Sequence, residues 1–287
     1  MIVITGATGA LNGATVDQLL TRVPAAELAV VARDVAKAQR FADLGIDVRR
    51  GDYADAESLP SAFDAADQLL LVSSSDPRAD AVELQRTAIG AAAAAGVGRI
   101  LYTSHQGAAA DTPFGPGRDH YATEKLLAES GVAWTSLRNG FYAHSLAWLL
   151  GPWRETGVIE VPADGPVSWT SRGDAAEAAA HILTAATPRE GLVTITASAA
   201  PTFVEVAAIA SELTGREVTT RVVDPEEWVA RQVAAGQPEF LARFMLGMYE
   251  AADLGFFAGT DPLLGELLGR QPVTVRDVLA APAPQGH

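Results

Sequence analysis

Short apolar runs alternate with helical patterns along the first half of the chain. Ile2 to Thr5 is a β-branched run of strand character, followed at once by Gly6 and Gly9. A helical pattern comes next, with Val16, Leu19, Leu20 and Val23 on one face. Leu28 to Ala32 predicts a second, buried strand, ended by Arg33 and Asp34. Asp34 can cap a helix carrying Val35, Ala38, Phe41 and Leu44. Ile46 and Val48 alternate with Asp47 and Arg49 in a third strand, and Ala54 to Ala66 predicts a helix with Leu59 and Phe63 one turn apart. Gln68 to Val72 is a fourth strand, and Pro77 to Ala95 a long alanine-rich helix ending near Gly96 and Gly98. Arg99 to Thr103 is the fifth strand. A glycine- and proline-rich loop covers Ser104 to Arg118, Asp119 to Ser130 is a helix, and Ala133 to Leu137 a sixth strand.

This rhythm predicts an α/β fold: a Rossmann-type, doubly wound parallel sheet with right-handed crossovers and helices on both faces. After Leu137 the pattern loosens. Phe141 to Leu150 reads as a short aromatic helix, and Val158 to Val161 and Val167 to Trp169 as short strands. Asp174 to Ala186 is a helix, Leu192 to Thr196 a seventh core strand, Thr202 to Thr214 a helix and Glu217 to Val223 a strand. From Pro225 the pattern is helical, broken at Gly236-Gln237-Pro238, and Ala280 to His287 is expected to fray. The expected organisation is a dinucleotide-binding domain over residues 1–140, with the strand near 192–196 added back. A smaller C-terminal α/β substrate lobe over residues 141–287 is interleaved with it.

Composition narrows the function. The 287 residues can bury a large core, and a net charge of −14 argues against nucleic acid, which needs a basic footprint. The chain has no cysteine, which excludes disulfides, thiolate nucleophiles and cysteine metal sites, and the histidines show no metal-ligand spacing. No cleaved leader is expected, because the first strand begins at Ile2. The weakly polar run Ala88 to Gly98 is too short to span a bilayer, so no membrane is expected, and a cytoplasmic location fits.

The candidate chemistry begins at the first turn. Gly6, Ala7, Thr8, Gly9, Ala10 and Leu11 lead from strand to helix N-terminus, where free N–H groups and the helix dipole attract phosphate. The spacing puts Asn12 where a third glycine is expected, with Gly13 beside it; either the turn tolerates Asn12, or the helix starts slightly differently. At the end of the second strand Arg33 suits a 2′-phosphate, with Lys37 adding charge, whereas Asp34 suits an NAD ribose. Asp52 can reach an adenine or cap the next helix, and Ser73, Ser74 and Ser75 can line the cofactor path or cap a turn. Tyr121 and Lys125 form a Y-x-x-x-K pair on one helix face. A lysine there can favour the phenolate and hold a ribose, while the tyrosine donates a proton to a carbonyl oxygen receiving hydride. Packing of Tyr121, with Lys125 still near the cofactor, is the competing assignment. Ser104 can orient a substrate. Leu137, Arg138, Asn139, Gly140, Phe141 and Tyr142 end the sixth strand, where backbone can meet a carboxamide. Phe141, Tyr142, Trp148, Trp153 and Trp169 either wall a flat apolar pocket or form the lobe's core, and His105 and His144 are candidate substrate contacts.

Together the stretches M-I-V-I-T-G-A-T-G-A-L (1–11), A-R-D-V-A-K-A-Q (32–39), R-R-G-D-Y (49–53), L-L-L-V-S-S-S (69–75), Y-T-S (102–104), H-Y-A-T-E-K (120–125) and L-R-N-G-F-Y (137–142) resemble the NmrA-like, atypical short-chain dehydrogenase/reductase family. Within it they are similar to the branch of quinone and triphenylmethane reductases. The resemblance continues weakly through Ser171-Arg172-Gly173-Asp174-Ala175 and Glu212-Leu213-Thr214-Gly215. It implies cofactor contacts from Gly6 to Leu11, at Arg33, at Ser73 to Ser75 and from Leu137 to Tyr142. It also implies NADPH preferred with NADH possible, no flavin and no metal, and reduction of quinones or similar conjugated acceptors. Asn12 departs from the family's third glycine, and Tyr121 stands where relatives carry an aliphatic residue, with His120 and Lys125 matching the family pattern.

The expectation is therefore an NADPH-dependent reductase of a flat, aromatic or quinone-like small molecule. Lys125, Tyr121 and Ser104 carry the chemistry, and His105, Tyr142, His144 and Trp148 meet the substrate. A homodimer is left open. Two rivals are a redox sensor that binds NAD(P) without turnover and a tailoring reductase of a polycyclic ketone or imine.

Overall fold

The computed structural model describes residues 1–74 and 79–281. In chain order its first elements are β1 (Ile2–Thr5), α1 (Ala10–Leu19), β2 (Leu28–Ala32), α2 (Gln39–Ala42), β3 (Asp47–Arg50), α3 (Leu59–Ala62), β4 (Gln68–Leu71), α4 (Ala81–Ala94), β5 (Arg99–His105), α5 (Gly115–Glu129) and β6 (Ala133–Asn139). There follow α6 (Leu146–Leu149), α7 (Trp153–Thr156), β7 (Val158–Val161), α8 (Arg172–Thr184), β8 (Gly191–Ile195), α9 (Phe203–Thr214), β9 (Thr219–Val222), α10 (Pro225–Ala234), α11 (Glu239–Asp253), α12 (Leu263–Leu268) and α13 (Val275–Ala280). The chain divides into two compact units. One comprises Met1–His105, Asp119–Arg138 and Arg172–Val193; the other comprises Gln106–Arg118, Asn139–Ser171 and the chain from Thr194 onward.

Seven strands form one sheet in the order β3-β2-β1-β4-β5-β6-β8. The pairs β1–β2, β2–β3, β1–β4 and β4–β5 are parallel. The chain winds outward from β1 in both directions, so the strand order reverses between β1 and β4, the switch point where this architecture opens a crevice. Residues Ile2 to Thr5 and Leu28 to Ala32 are buried throughout, as strands covered on both faces must be. On one face α4 presents Ala88, Ile89 and Ala92 to Leu69, Leu71, Ile100 and Tyr102; its alanines let the helix lie close to the sheet. On the first unit's other helices, α8 packs against α1 through a nearly continuous alanine surface, Ala175 to Ala180 interrupted by Glu177. Each fully buried Leu, Val or Ile of this core stabilises by about 1.5–3 kcal/mol relative to exposure.

Several local expectations are corrected. Ala54 to Ala66 is not one helix: a 3-10 turn at Ala56–Ser58 leads into the single α-turn of α3. Ser58 Oγ donates to Asp55 O at 2.6 Å and accepts from Asp52 N–H at 3.0 Å, and these local bonds replace helical ones. The helix expected from Val35 is a 3-10 turn capped by Asp34 and then α2, with Ala38 and Phe41 buried but Val35 and Leu44 exposed. Helix α4 starts at Ala81, capped by the Asp80 carboxylate, which accepts from Glu83 N–H at 3.0 Å; the expected start at Pro77 lies outside the described residues, as does most of the expected fraying tail. Helix α5 begins at Gly115 rather than Asp119.

The second unit has its own parallel pair, β7 with β9, in the register Val158↔Thr219 to Val161↔Val222. Its core is aromatic: Trp169 meets Phe203 edge-on at 5.8 Å between centroids, and Tyr249 packs on Phe203 and Trp228. Val167 to Trp169 does not form the expected strand. Val167 N–H donates to Pro201 O and Ser168 N–H to Phe257 O, so successive groups serve different segments and no ladder can form.

Candidate active site

The first turn is enforced by the backbone. Gly6 adopts φ +62°, and a Cβ there would lie 2.6 Å from Val72 Cγ1, so only glycine fits. Gly9 is the N-cap of α1 and has no side chain to bond the helix's first N–H groups. The amides of Ala10, Leu11 and Asn12 therefore keep no intrahelical partner. Thr8, Gly9 and Ala10 are exposed and Ala7 is buried beneath them. Asn12 is 1% exposed, and its Nδ2 donates to Thr5 O at 2.8 Å, bracing the helix to the end of β1. Close helix–turn packing, the task of a third glycine, falls one residue later. A Cβ on Gly13 would lie 2.8 Å from Ala7 O.

Sheet register brings the other candidates to the same strand ends. Thr5 pairs with Val31, so Gly6 and Arg33 leave the sheet side by side. Arg33 and Lys37 are exposed, and among the described residues neither has an ion pair or a side-chain hydrogen bond. The Asp34 carboxylate is instead occupied, accepting from Ala36 N–H at 3.1 Å. Asp52 likewise caps its own turn, accepting from Ala54 N–H at 3.1 Å. Thr5 Oγ1 ties the neighbouring strand, accepting from Val72 N–H at 2.9 Å and from the Tyr53 hydroxyl at 2.6 Å. Burial pushes the Tyr53 phenol up. Ser73 N–H donates to Thr103 Oγ1 at 2.9 Å, and Ser73 and Ser74 are half-buried. Ser75 lies outside the described residues.

Helix α5 presents two adjacent stripes. On the exposed one the Lys125 ammonium sits over the Tyr121 ring, 4.7 Å from its centroid. On the inner one Glu124 is 6% exposed and holds four donors. Ser104 Oγ, Ser136 Oγ and Arg138 Nε donate to Oε1 at 2.8, 2.7 and 2.9 Å, and Arg138 Nη2 donates to Oε2 at 2.5 Å. Ser104 and the Arg138 side chain therefore face a buried carboxylate. One turn earlier His120 Nδ1 is 2.8 Å from the Tyr102 hydroxyl, and the His105 ring stacks on His120 at 6.2 Å. Loss of hydration pushes His105 down to about 3, with the His120 charge second, and desolvation pushes His120 down to about 4 against a smaller pull from Glu124. Both rings are neutral near neutral pH. Burial raises the Tyr102 phenol.

The end of β6 continues from Leu137, which is buried, into the second unit. Asn139 O accepts from Gln106 N–H at 2.8 Å, and Gly140 N–H donates to Ile195 O at 2.9 Å. A Cβ on Gly140 would come within 2.2 Å of Thr170 Oγ1, so this glycine is set by packing. Of the aromatics, Trp153 and Trp169 belong to the core, Phe141 packs on it, and Trp148 is half exposed. Tyr142 and His144 face each other at 5.8 Å, and His144 and Trp148 are exposed one turn apart. Among the described residues no group of three or more side chains could hold a metal ion, and no helix is long and apolar enough to cross a membrane.

A model of the NmrA-like family matches residues 1–257. The chain belongs to the NmrA-like family. Within it, the chain is 35% identical to quinone oxidoreductase 2 of Escherichia coli (strain K12) over 281 residues, 96% of each protein. A crystal structure of the NADPH-dependent quinone oxidoreductase QOR2 from Escherichia coli complexed with NADPH matches with TM-score 0.89 at 34% identity, covering 98% of this chain and 99% of that one. The Citrobacter sp. triphenylmethane reductase complexed with NADP(H) matches with TM-score 0.84 at 33% identity, over 97% and 98% of the chains. The Rossmann-type sheet is thus the family's architecture. The residue that pattern reading passed over is Glu124: inside a helix its charge reads as solvent-facing, and only the paired serines and arginine across the sheet reveal its burial.

The first unit fits a dinucleotide phosphate. An uncapped helix N-terminus suits the pyrophosphate, and Arg33 and Lys37 just after β2, unpaired among the described residues, suit a 2′-phosphate. The acidic alternative, Asp34, is already engaged by its own turn.

Proposed function

We propose that this chain is an NADPH-dependent, flavin-independent reductase that delivers hydride to a flat conjugated acceptor of the quinone class. The observation carrying the reading is the glycine turn with Arg33 and Lys37 unpaired beside it; kinship to NADPH-dependent quinone and triphenylmethane reductases supports the acceptor class. The turn from Gly6 to Leu11, with the bare amides of Ala10 and Leu11, would hold the pyrophosphate, and Arg33 and Lys37 would hold the 2′-phosphate. Ser73, Ser74 and the backbone of Leu137 and Arg138 line the remaining length. Bound there, NADPH supplies the hydride. Lys125 holds the ribose hydroxyls, and the Tyr121 hydroxyl or a water gives the proton that completes the hydroquinone. Ser104 serves through Glu124. In the second unit the exposed rings of His144 and Trp148, with half-buried Tyr142 against His144, suit stacking of a planar acceptor.

The test is titration of the purified chain with NADPH and NADH, followed by a consumption assay with a simple benzoquinone. The reading expects tighter binding of NADPH and quinone-dependent oxidation. Binding without consumption over a broad acceptor panel would replace the reductase with a redox sensor, and absence of binding would reject the cofactor site.

A further inference from the structure

The inner stripe of α5 is built for a purpose that packing alone does not need. Its neighbours Leu127, Ile100 and Tyr102 already supply apolar burial. Yet Glu124 spends a buried charge on four hydrogen bonds that reach Ser104 on β5 and both Ser136 and Arg138 on β6. A buried ion pair is a poor source of net stability but a strict source of geometry. His120, on the same stripe one turn earlier, makes a second tie to Tyr102 of β5. Each tied residue immediately precedes one of the outer pair: His120 precedes Tyr121, and Glu124 precedes Lys125.

We propose that Glu124 is a positioning residue: its carboxylate, clamped to β5 and β6, fixes the rotation of α5 about its axis and so seats Lys125 and Tyr121. The proposal rests on the reading that those two side chains work at the cofactor. Apolar contacts let a helix roll, whereas hydrogen bonds lose their alignment. A roll of about 20° carries a side-chain end ~6 Å from the axis through about 2 Å. Displacement on that scale costs on the order of 100-fold in rate.

The chain has two lysines, Lys37 and Lys125, so ¹³C-lysine labelling yields two side-chain sets, assigned with Lys37→Arg. In the parent, NADPH should shift the Lys125 signals on binding, because the proposed ribose contact brings the cofactor to the ammonium. In Glu124→Gln, which keeps size but removes the charge that Arg138 meets, the NADPH-induced shift of the Lys125 signals should shrink while that of Lys37 stays. With NADPH and benzoquinone, kcat should fall about 30- to 100-fold while the NADPH Kd changes less than about threefold, because the phosphate contacts lie elsewhere. Ser136→Ala, which deletes one donor and leaves the ion pair, should move both readouts in the same direction by a smaller amount, and it serves if Glu124→Gln does not fold. An unchanged NADPH-induced Lys125 shift in the folded variants overturns the proposal, as does a loss of kcat matched by an equal loss of NADPH affinity. If the parent turns over no quinone, the reductase reading fails, and the NADPH-induced Lys125 shift still decides whether Glu124 sets the helix.

Discussion

At the Gly6–Gly9 turn, position is enforced by the main chain: a positive φ, a missing Cβ and bare helix amides. At α5 it is enforced by side chains that reach the sheet through buried hydrogen bonds. The two regions belong to the same unit and serve the same proposed cofactor, but they fail differently. A backbone device tolerates no side chain at all. A side-chain device tolerates partial loss and degrades by degrees.

The backbone device is broken by forcing a Cβ into the turn. Gly6→Ala meets Val72 and must hold a left-handed conformation, which costs about 1–3 kcal/mol in stability. NADPH binding should weaken at least about tenfold, a loss of about 1.4 kcal/mol. Calorimetry and a binding titration read both, and unchanged affinity would show that the turn does not meet the cofactor. Arg33→Ala tests a contact that neither device supplies. It should lower kcat/KM for NADPH about 10- to 100-fold and leave NADH nearly unaffected, since a charge-assisted phosphate contact is worth about 1.5–3 kcal/mol. Equal losses with both cofactors would separate Arg33 from the 2′-phosphate.

The pH prediction concerns stability alone. The folded state holds His105 and His120 neutral down to about 3 and about 4, whereas the unfolded chain protonates them near 6.5. Between those values the unfolded state binds more protons, so stability is complete above about pH 6.5 and declines as pH falls toward 4. The midpoint temperature should drop between about pH 7 and about pH 5. His120→Gln should flatten that slope, and an identical slope in the variant would remove His120 from the account.

The same contrast explains what the sequence reveals. Strands β1, β2, β4, β5 and β6, and the turn between β1 and α1, are legible because apolar runs and glycines mark them directly. Lys125 and Tyr121 are legible because spacing alone puts them on one stripe. Asn12 misleads because the pattern counts glycines, whereas the fold needs one close approach, which Gly13 provides. Glu124 escapes because its partners are 12 to 20 residues distant and no local period links them. Val167 to Trp169 has strand residues but no strand partner, a fact of tertiary structure that propensity does not carry.

The most direct test of the account is the steady-state oxidation of NADPH with benzoquinone by the parent and by Lys125→Ala, with the NADPH Kd measured on the same samples. The account predicts that kcat falls by about 100-fold or more while Kd stays within a few-fold. Full activity in the variant would contradict it.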